Sequence, residues 1–443
     1  MAQSAEWYDE MYTMLSNLCR VERVLVAKVS LPARWGNRFG VGRHCTAATG
    51  AHPSFTILTM TTHAPQQPET DERLAACIEH LFEHGWQPAD LVHLARQHTT
   101  QRQSRLVASA IAHHARRTDA PHRAPHHWVQ QLVDIGVFDP AADRVVGGHA
   151  GFTAKWANTE RIHPDDVQAA VLQVEQLLRL APRIAVLLTP PRLWTATNRG
   201  LSSEPVASTA DAKVLRTVRA LLAQAEGTDF EAEADTFTAK AQEMMTRHSI
   251  DAAMLAVDAH AAGAVGGAGI TSRRVHIENP YAPEKATFLS MLAEVNGVRC
   301  VWSDWCGFAT LMGFPVDLQL TELLFTSLLV QAAQSSAQAV SKDPRRKAPT
   351  FKRAFLVSFA NRIAERLEEA GRAGRSDAEA TYGSALAPVL ANRATAVEAA
   401  YTAAFPNVKP MRSRSYDAAG WWAGRAAADH ADIGASTSLP GGR

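Results

Sequence analysis

The stretch from Asp211 to Leu255 constrains the fold more than any other part of the chain, because its apolar residues repeat with a helical period twice over and a turn signal separates the two runs. Val214, Leu215, Val218, Leu221, Leu222 and Ala225 follow the i, i+3, i+4, i+7 spacing that gathers side chains on one face of a helix. Gly227 ends that run, and Thr228 with Glu231 can form a capping box at the start of a second helix. On the second run Ala234, Phe237, Ala241, Met244, Met245 and His248 make a matching stripe, so the two helices can pair antiparallel as a hairpin. Ser249 and Ile250 are expected to break it, with Asp251 capping a short third helix through Leu255.

At 443 residues the chain exceeds the size at which one core usually stops growing, which implies two or three domains. A mainly helical region is expected over 1–189, the hairpin domain over 210–258, an α/β domain over 270–433 and a disordered tail over 434–443. Three linkers separate them. Thr118–His127 is rich in proline and histidine, Thr189–Thr209 in proline, serine and threonine, and Ala261–Gly269 in alanine and glycine. In the first region Arg23–Leu31 and Phe55–Thr62 have strand character. The run Trp86-Gln87-Pro88-Ala89-Asp90-Leu91 reads as a helix start, with Pro88 in the first helical position and Asp90 at the positive end. Beyond the hairpin, Arg273–Ile277, Val298–Trp302 and Phe308–Gly313 read as strands. Long helices follow at about Asp317–Val340, Phe351–Ala370 and Ala385–Ala404, with a last one near Asp417–Ala431. The fold class is therefore α+β, predominantly α-helical, with a central helical hairpin followed by a small sheet flanked by long helices.

The hairpin also carries a resemblance. Lys213, Leu221, Leu222, Ala223, Ala225, Glu226, Glu231, Ala232, Ala239–Met245, His248, Ile250 and Asp251 fall on the patterns K-[IV]-R-x-L-L-A-x-A-E, E-A-x-x-A-x-x-K-A-Q-x-[LM]-M and H-x-I-[DE]. In these the chain resembles the actinobacterial and phage family known as domain of unknown function 2786. Leu215-Arg216 departs from the plainer charged pattern usual there. The runs at Gly85–Leu94 and Phe351–Leu367 resemble members of the same family with less specificity. The resemblance implies a structural module and no activity.

Charge and composition narrow the function classes. No apolar run is long enough to span a bilayer, so no membrane partner is expected. The acidic N-terminus lacks a secretory signal, which gives a cytoplasmic expectation. Five widely spaced cysteines without a C-x-x-C pair disfavour disulfides and a cysteine zinc knuckle. A net charge of +1 does not suit a protein that coats nucleic acid, but the charge is uneven. Lys342, Arg345, Arg346, Lys347, Lys352 and Arg353 precede and enter a helix that Arg362 and Arg366 extend, a pattern that suits contact with a phosphate backbone or an ordinary solvated face. Lys409, Arg412, Arg414 and Arg425 accompany Tyr416, Trp421 and Trp422, whose rings can pack in a core or stack on bases. Gly420 and Gly424 allow another helix to approach closely, by internal packing or in a homodimer.

Enzymatic signals are sparse. His80-Leu81-Phe82-Glu83-His84 fits the inverted zincin string H-x-x-E-H, in which two histidines hold zinc and the glutamate activates water, and an exposed polar helix face fits it as well. His113, His114, His122, His126 and His127 form a histidine-rich patch that reads as a metal or pH-sensitive site or as a solvated linker. The acidic residues Glu226, Asp229, Glu231, Glu233, Asp235 and Glu243 of the hairpin suit either helix electrostatics or a divalent ion. Phosphate loops and serine-hydrolase elbows are absent from the sequence. The expectation is a non-catalytic binding protein without a cofactor. Its partner would be nucleic acid at Arg345, Arg346, Lys347, Lys352 and Arg353, or a protein. The alternative is a zinc hydrolase using His80, Glu83 and His84.

Overall fold

A computed structural model of the protein describes residues 67–195, 209–227, 231–261, 269–342, 348–408 and 417–430. The strands expected at Arg23–Leu31 and Phe55–Thr62, the Thr228 cap, the tail after Gly434, and Arg345, Arg346 and Lys347 lie outside them. The described chain is mainly helical with a small antiparallel sheet, an α+β fold of predominantly α character.

The first unit is built from α1 (Gln67–Glu83), α2 (Pro88–His98), α3 (Gln101–Thr118), a single turn α4 (Ala120–Arg123), α5 (His126–Asp134), α6 (Phe152–Thr159) and α7 (Pro164–Leu180). A two-residue hairpin, β1 (Phe138–Asp139) with β2 (Arg144–Val145), joins α5 to α6. The start of α2 is as its sequence predicts: Pro88 opens the helix, and the Gln87 N–H donates to Asp90 Oδ2 at 3.0 Å. Trp86 is fully buried beneath it and donates its indole N–H to the Pro182 carbonyl. Capping also works at a distance. Asp71 on α1 accepts the backbone N–H groups of Gly151, Phe152 and Thr153 at 2.7–3.1 Å, satisfying the orphan donors of α6 from another helix.

The proline-rich stretch Thr118–His127 is no joint between domains. Asp119 turns the chain through the left-handed region, Pro121 lies in the first turn of α4, and Pro125 is the N-cap of α5, so neither ring removes a helical hydrogen bond. Ala120 and Ala124 are buried in the same core as Phe82 and Trp128.

The second unit starts with α8 (Thr209–Gly227) and α9 (Glu231–Ala261), the expected hairpin. Then come β3 (Thr271–His276), α10 (Ala282–Val295), β4 (Arg299–Ser303), β5 (Phe308–Gly313), α11 (Pro315–Lys342), α12 (Pro349–Tyr382), α13 (Leu386–Ala404) and α14 (Ala418–His430). The strand order is β3-β5-β4, all antiparallel, with Val275 opposite Ala309 and Trp302 opposite the same residue on the other side. Every residue of the central strand is buried, which explains its unbroken FATLMG text without polar alternation.

Two expectations for the hairpin change. First, α9 runs without a break through Ser249, Ile250 and Asp251. Asp251 pairs with Arg247 one turn back and accepts the Tyr382 hydroxyl at 2.8 Å, while Ile250 is buried with Ala378 and Leu386, so tertiary contacts carry the helix past a local stop signal. Second, the buried stripe of α9 is rotated. Thr238, Ala241, Gln242 and Met245 are buried, whereas Phe237, Met244 and His248 are half-buried, because α9 packs against α12 as well as α8. Close packing of α9 on α12 occurs at Gly374, where a Cβ would stand 3.2 Å from the Glu243 carbonyl. Leu215, Val218, Leu222, Ala241 and Met245 belong to one cluster with Phe288, Phe325, Phe355 and Phe359, so the hairpin shares its core with the sheet and the long helices.

Candidate functional site

The basic residues that the sequence groups together separate into two sets. Helix α12 opens at Pro349 with Ala348 as an N-cap that supplies no side-chain hydrogen bond, and its first turn holds no acidic residue. Lys352, half-buried, and Arg353, exposed, follow at once. Cations near a helix N-terminus oppose the helix dipole, so helix electrostatics does not account for them. Arg353 faces Glu284 of α10 at 3.9 Å, half of its side chain remaining in solvent. Arg362 and Arg366 do not extend this face. Arg362 pairs with Asp429 and Glu365, and buried Arg366 donates to the Ala428 carbonyl, so both hold the seam between α12 and α14.

That seam explains Gly420 and Gly424. A Cβ at Gly420 would collide with the Phe351 carbonyl and one at Gly424 with the Phe355 carbonyl, so the two glycines let α14 lie directly on α12 within the chain. The pairings Gly420 with Phe351 and Gly424 with Phe355 make the helices parallel, which brings their starts together. Between the two glycines, Trp422 points outward and is 68% exposed, and Trp421 is half-buried. Core packing, the alternative that its sequence leaves open, therefore does not hold Trp422.

The H-x-x-E-H string is split by the end of α1. His80 and Glu83 lie on the helix, but His84 is in the turn after it and its Nδ1 is 2.6 Å from the His80 carbonyl. Glu83 accepts the Arg192 backbone N–H at 2.8 Å and faces the Arg192 guanidinium. Among the described residues no group of three or more His, Cys, Asp or Glu side chains is placed to hold a metal ion, so the two imidazoles lack a third donor there. The histidine-rich patch also disperses. His114 is a core residue against Phe82, and burial, then Arg117 and His113, push its pKa down to about 4. His122 sits between Asp119 and Asp143, whose hydrogen bonds raise its pKa. In the hairpin, Glu243 pairs with Lys240 at 2.7 Å, and His248 Nε2 reaches Asp211 Oδ1 at 2.8 Å, tying α9 to the start of α8.

A buried polar cluster that the sequence does not announce joins the two units. Asp90 of α2 and Arg274 of β3 form an ion pair in which each side chain is 2% exposed. His276 Nε2 lies 2.8 Å from Asp90 Oδ1, while Oδ2 already takes the Gln87 N–H and Arg274. Arg274 also donates to the carbonyls of Gly85 at 2.9 Å and Ala185 at 2.7 Å. Alongside, the His93 ring is 4.6 Å from that of His276, with Nε2 2.8 Å from the Gly307 carbonyl and Nδ1 3.3 Å from Glu278. Gly307 has φ 69°, a left-handed conformation that favours glycine, and the end of the Gln97 side chain packs where a Cβ would be.

Burial alone would raise the Asp90 carboxyl, but the Arg274 charge and the His276 hydrogen bond outweigh it and hold it below the usual carboxylate value. Burial lowers His276, and the hydrogen bond to Asp90 recovers only part of that loss. Behind them Lys285 donates to the Glu278 carbonyl at 2.8 Å, and burial drops its pKa to about 7. Both Asp90 oxygens and both His93 nitrogens have partners across or beside the junction, so this cluster works as a latch between the units.

Comparison with known proteins fits the hairpin alone. No curated protein and no solved structure matches the chain. The model of the family described as a protein of unknown function (DUF2786) matches residues 213–252, from the first turns of α8 to the Ser249–Asp251 segment of α9. The chain thus carries a DUF2786 domain, and that domain is the helical hairpin whose core is completed by the sheet and the long helices.

Proposed function

We propose that this is a non-catalytic binding protein that engages single-stranded nucleic acid at the end of the molecule where α12 and α14 begin. The observation that carries the reading is the parallel docking of these helices, with Gly420 seated on Phe351 and Trp422 left exposed beside it. In sequence, Arg345, Arg346 and Lys347 lead into α12, and Lys409, Arg412 and Arg414 lead into α14. Helices α12 and α14 thus start side by side, each preceded in sequence by a basic run that lies outside the described residues, with Lys352 and Arg353 on one helix and an outward aromatic on the other. Cationic side chains contact phosphates without regard to sequence, and an exposed indole gives a base a face to stack on. No described helix is long and apolar enough to cross a membrane, and Cys77, Cys300 and Cys306 are free thiols, which suits work in the reducing cytoplasm.

The test is fluorescence anisotropy of a dye-labelled single-stranded oligonucleotide titrated with the full chain. Affinity should fall steeply with added salt as counterions are released. Reversing Arg345, Arg346, Lys347, Lys352 and Arg353 to glutamate should abolish binding, and Trp422→Ala should weaken it by about 1–3 kcal/mol. Binding that survives the charge reversal, or that ignores Trp422→Ala, defeats the proposal.

A further inference from the structure

Helix α13 is held by Leu386 at its start, by buried Val397 and the Arg393–Asp317 pair along its length, and by Tyr401 near its end. Leu386 in its first turn is buried with Ile250 and Ala378, and Tyr401 near its end packs on the main core with Phe405. Between these contacts, Ala394 and Ala399 line a space beside the helix. There lies a cleft of about 1080 Å³, lined by α13, by α9 of the DUF2786 hairpin, by the turn after α10 and the start of α11, and by Arg375 of α12. That volume is slightly above the ~300–1,000 Å³ typical of small-molecule sites.

The charges on its wall are unequal in what they have to do. Arg393 crosses the gap to Asp317, Nη2 to Oδ2 2.6 Å, with its guanidinium 3.7 Å from the centre of the Phe314 ring. Arg299 is paired with Glu398. Arg375 of α12 also lines the cleft, half-buried on the side of Gly371 and Thr246, and has no acidic partner among the described residues. The remaining lining charge, Glu294, is exposed, where water and salt screen it. A half-buried guanidinium without a counter-charge, set in a largely apolar wall, is a site for an anion brought in on an apolar body.

We propose that the cleft under α13 binds a small organic anion, with Arg375 taking its carboxylate, sulfonate or phosphate group and the cleft wall taking its apolar body. The site stands apart from the α12/α14 end and does not depend on the nucleic-acid reading. Two fluorescent probes with one aromatic skeleton test it on the full chain: 1-anilinonaphthalene-8-sulfonate, which carries the anion, and N-phenyl-1-naphthylamine, which lacks it.

The sulfonate should bind at a single site that Ala394→Phe closes, or Ala399→Leu should Ala394→Phe fail to melt cooperatively. Arg375→Met should weaken the sulfonate by about tenfold while leaving the neutral amine unchanged, the loss expected for one charge-assisted contact. Arg375→Lys should retain most of the sulfonate affinity. Equal binding of both probes to the Arg375→Met and unaltered proteins would overturn anion recognition. Sulfonate binding that persists when the cleft is filled would overturn the site.

Discussion

Replacing Asp90 with alanine should be among the most damaging single changes available in the described chain, although no ligand touches it. Asp90 and Arg274 are each 2% exposed at the side chain, so the substitution leaves a buried guanidinium with the Gly85 and Ala185 carbonyls and the Phe308 ring beside it but without its counter-charge. Breaking a buried pair from one side costs about 3–5 kcal/mol, because the surviving charge stays out of water without its partner. The Gln87 N–H at the start of α2 loses its acceptor in the same step. Urea unfolding followed by far-ultraviolet circular dichroism should show this loss at pH 7.5. The double variant Asp90→Ala/Arg274→Met should recover much of it, since no charge is then stranded, with a coupling energy of about 2 kcal/mol or more. The exposed pair Glu79–Arg117 is the control, where Glu79→Ala should cost no more than about 1 kcal/mol. A loss below about 1 kcal/mol for Asp90→Ala, or simple additivity in the double variant, would refute the latch. The latch should also fail on the acid side. His276 has a folded pKa below its ordinary value, so the unfolded chain takes up its proton first and stability is lost as pH falls below about 6.5. The depressed Asp90 carboxyl adds its own loss only once pH falls through about 3.9 and below.

Lys285 should act with a base limb of its own. With its folded pKa at about 7 against 10.5 unfolded, the unfolded chain holds a proton that the folded one has released, so stability should rise between those values with a slope of at most about 1.4 kcal/mol per pH unit. Lys285→Met should flatten that rise, and an unchanged slope would show that the amine is not neutralised on folding. In the hairpin, Met245→Ala should cost about 2–5 kcal/mol in a thermal or urea melt, and Phe237→Ala clearly less, because Met245 is buried and Phe237 only half-buried. The opposite ranking would contradict the rotated stripe of α9.

Local chemistry made much of this fold legible in the sequence. Pro88 and Asp90 mark the start of α2, the alternation of strand and helix text after residue 270 gives the sheet and its flanks, and Phe308–Gly313 is a strand to the residue. Each of these signals is contained within a few residues. What stayed hidden is long-range. Nothing near Asp90 in sequence announces Arg274, and nothing in Arg393 points to Asp317; each of these pairs exists only when separate elements fold together. The Ser249-Ile250 step misled for the same reason, since tertiary burial carries the helix past it, whereas the prolines at 121 and 125 misled because they sit in a first turn and at an N-cap, where a proline breaks no helical hydrogen bond. Trp422 lay between two readings, core or stacking, and only the side of α14 that Gly420 and Gly424 occupy decides between them.

The shared core of the DUF2786 hairpin has a consequence for how such a module travels. Leu215, Val218, Leu222, Ala241 and Met245 have their counterpart surface in Phe288, Phe325 and Phe359, on elements that lie beyond the matched residues 213–252. The hairpin is therefore one face of an interface that happens to be held in a single polypeptide. Severed from the rest, it would present a greasy flank in need of a host, and a cut between residues 261 and 269 would turn a tertiary contact into a quaternary one. Moved to another protein as residues 213–252 alone, this hairpin would carry only half of its own core and would need a complementary apolar wall there.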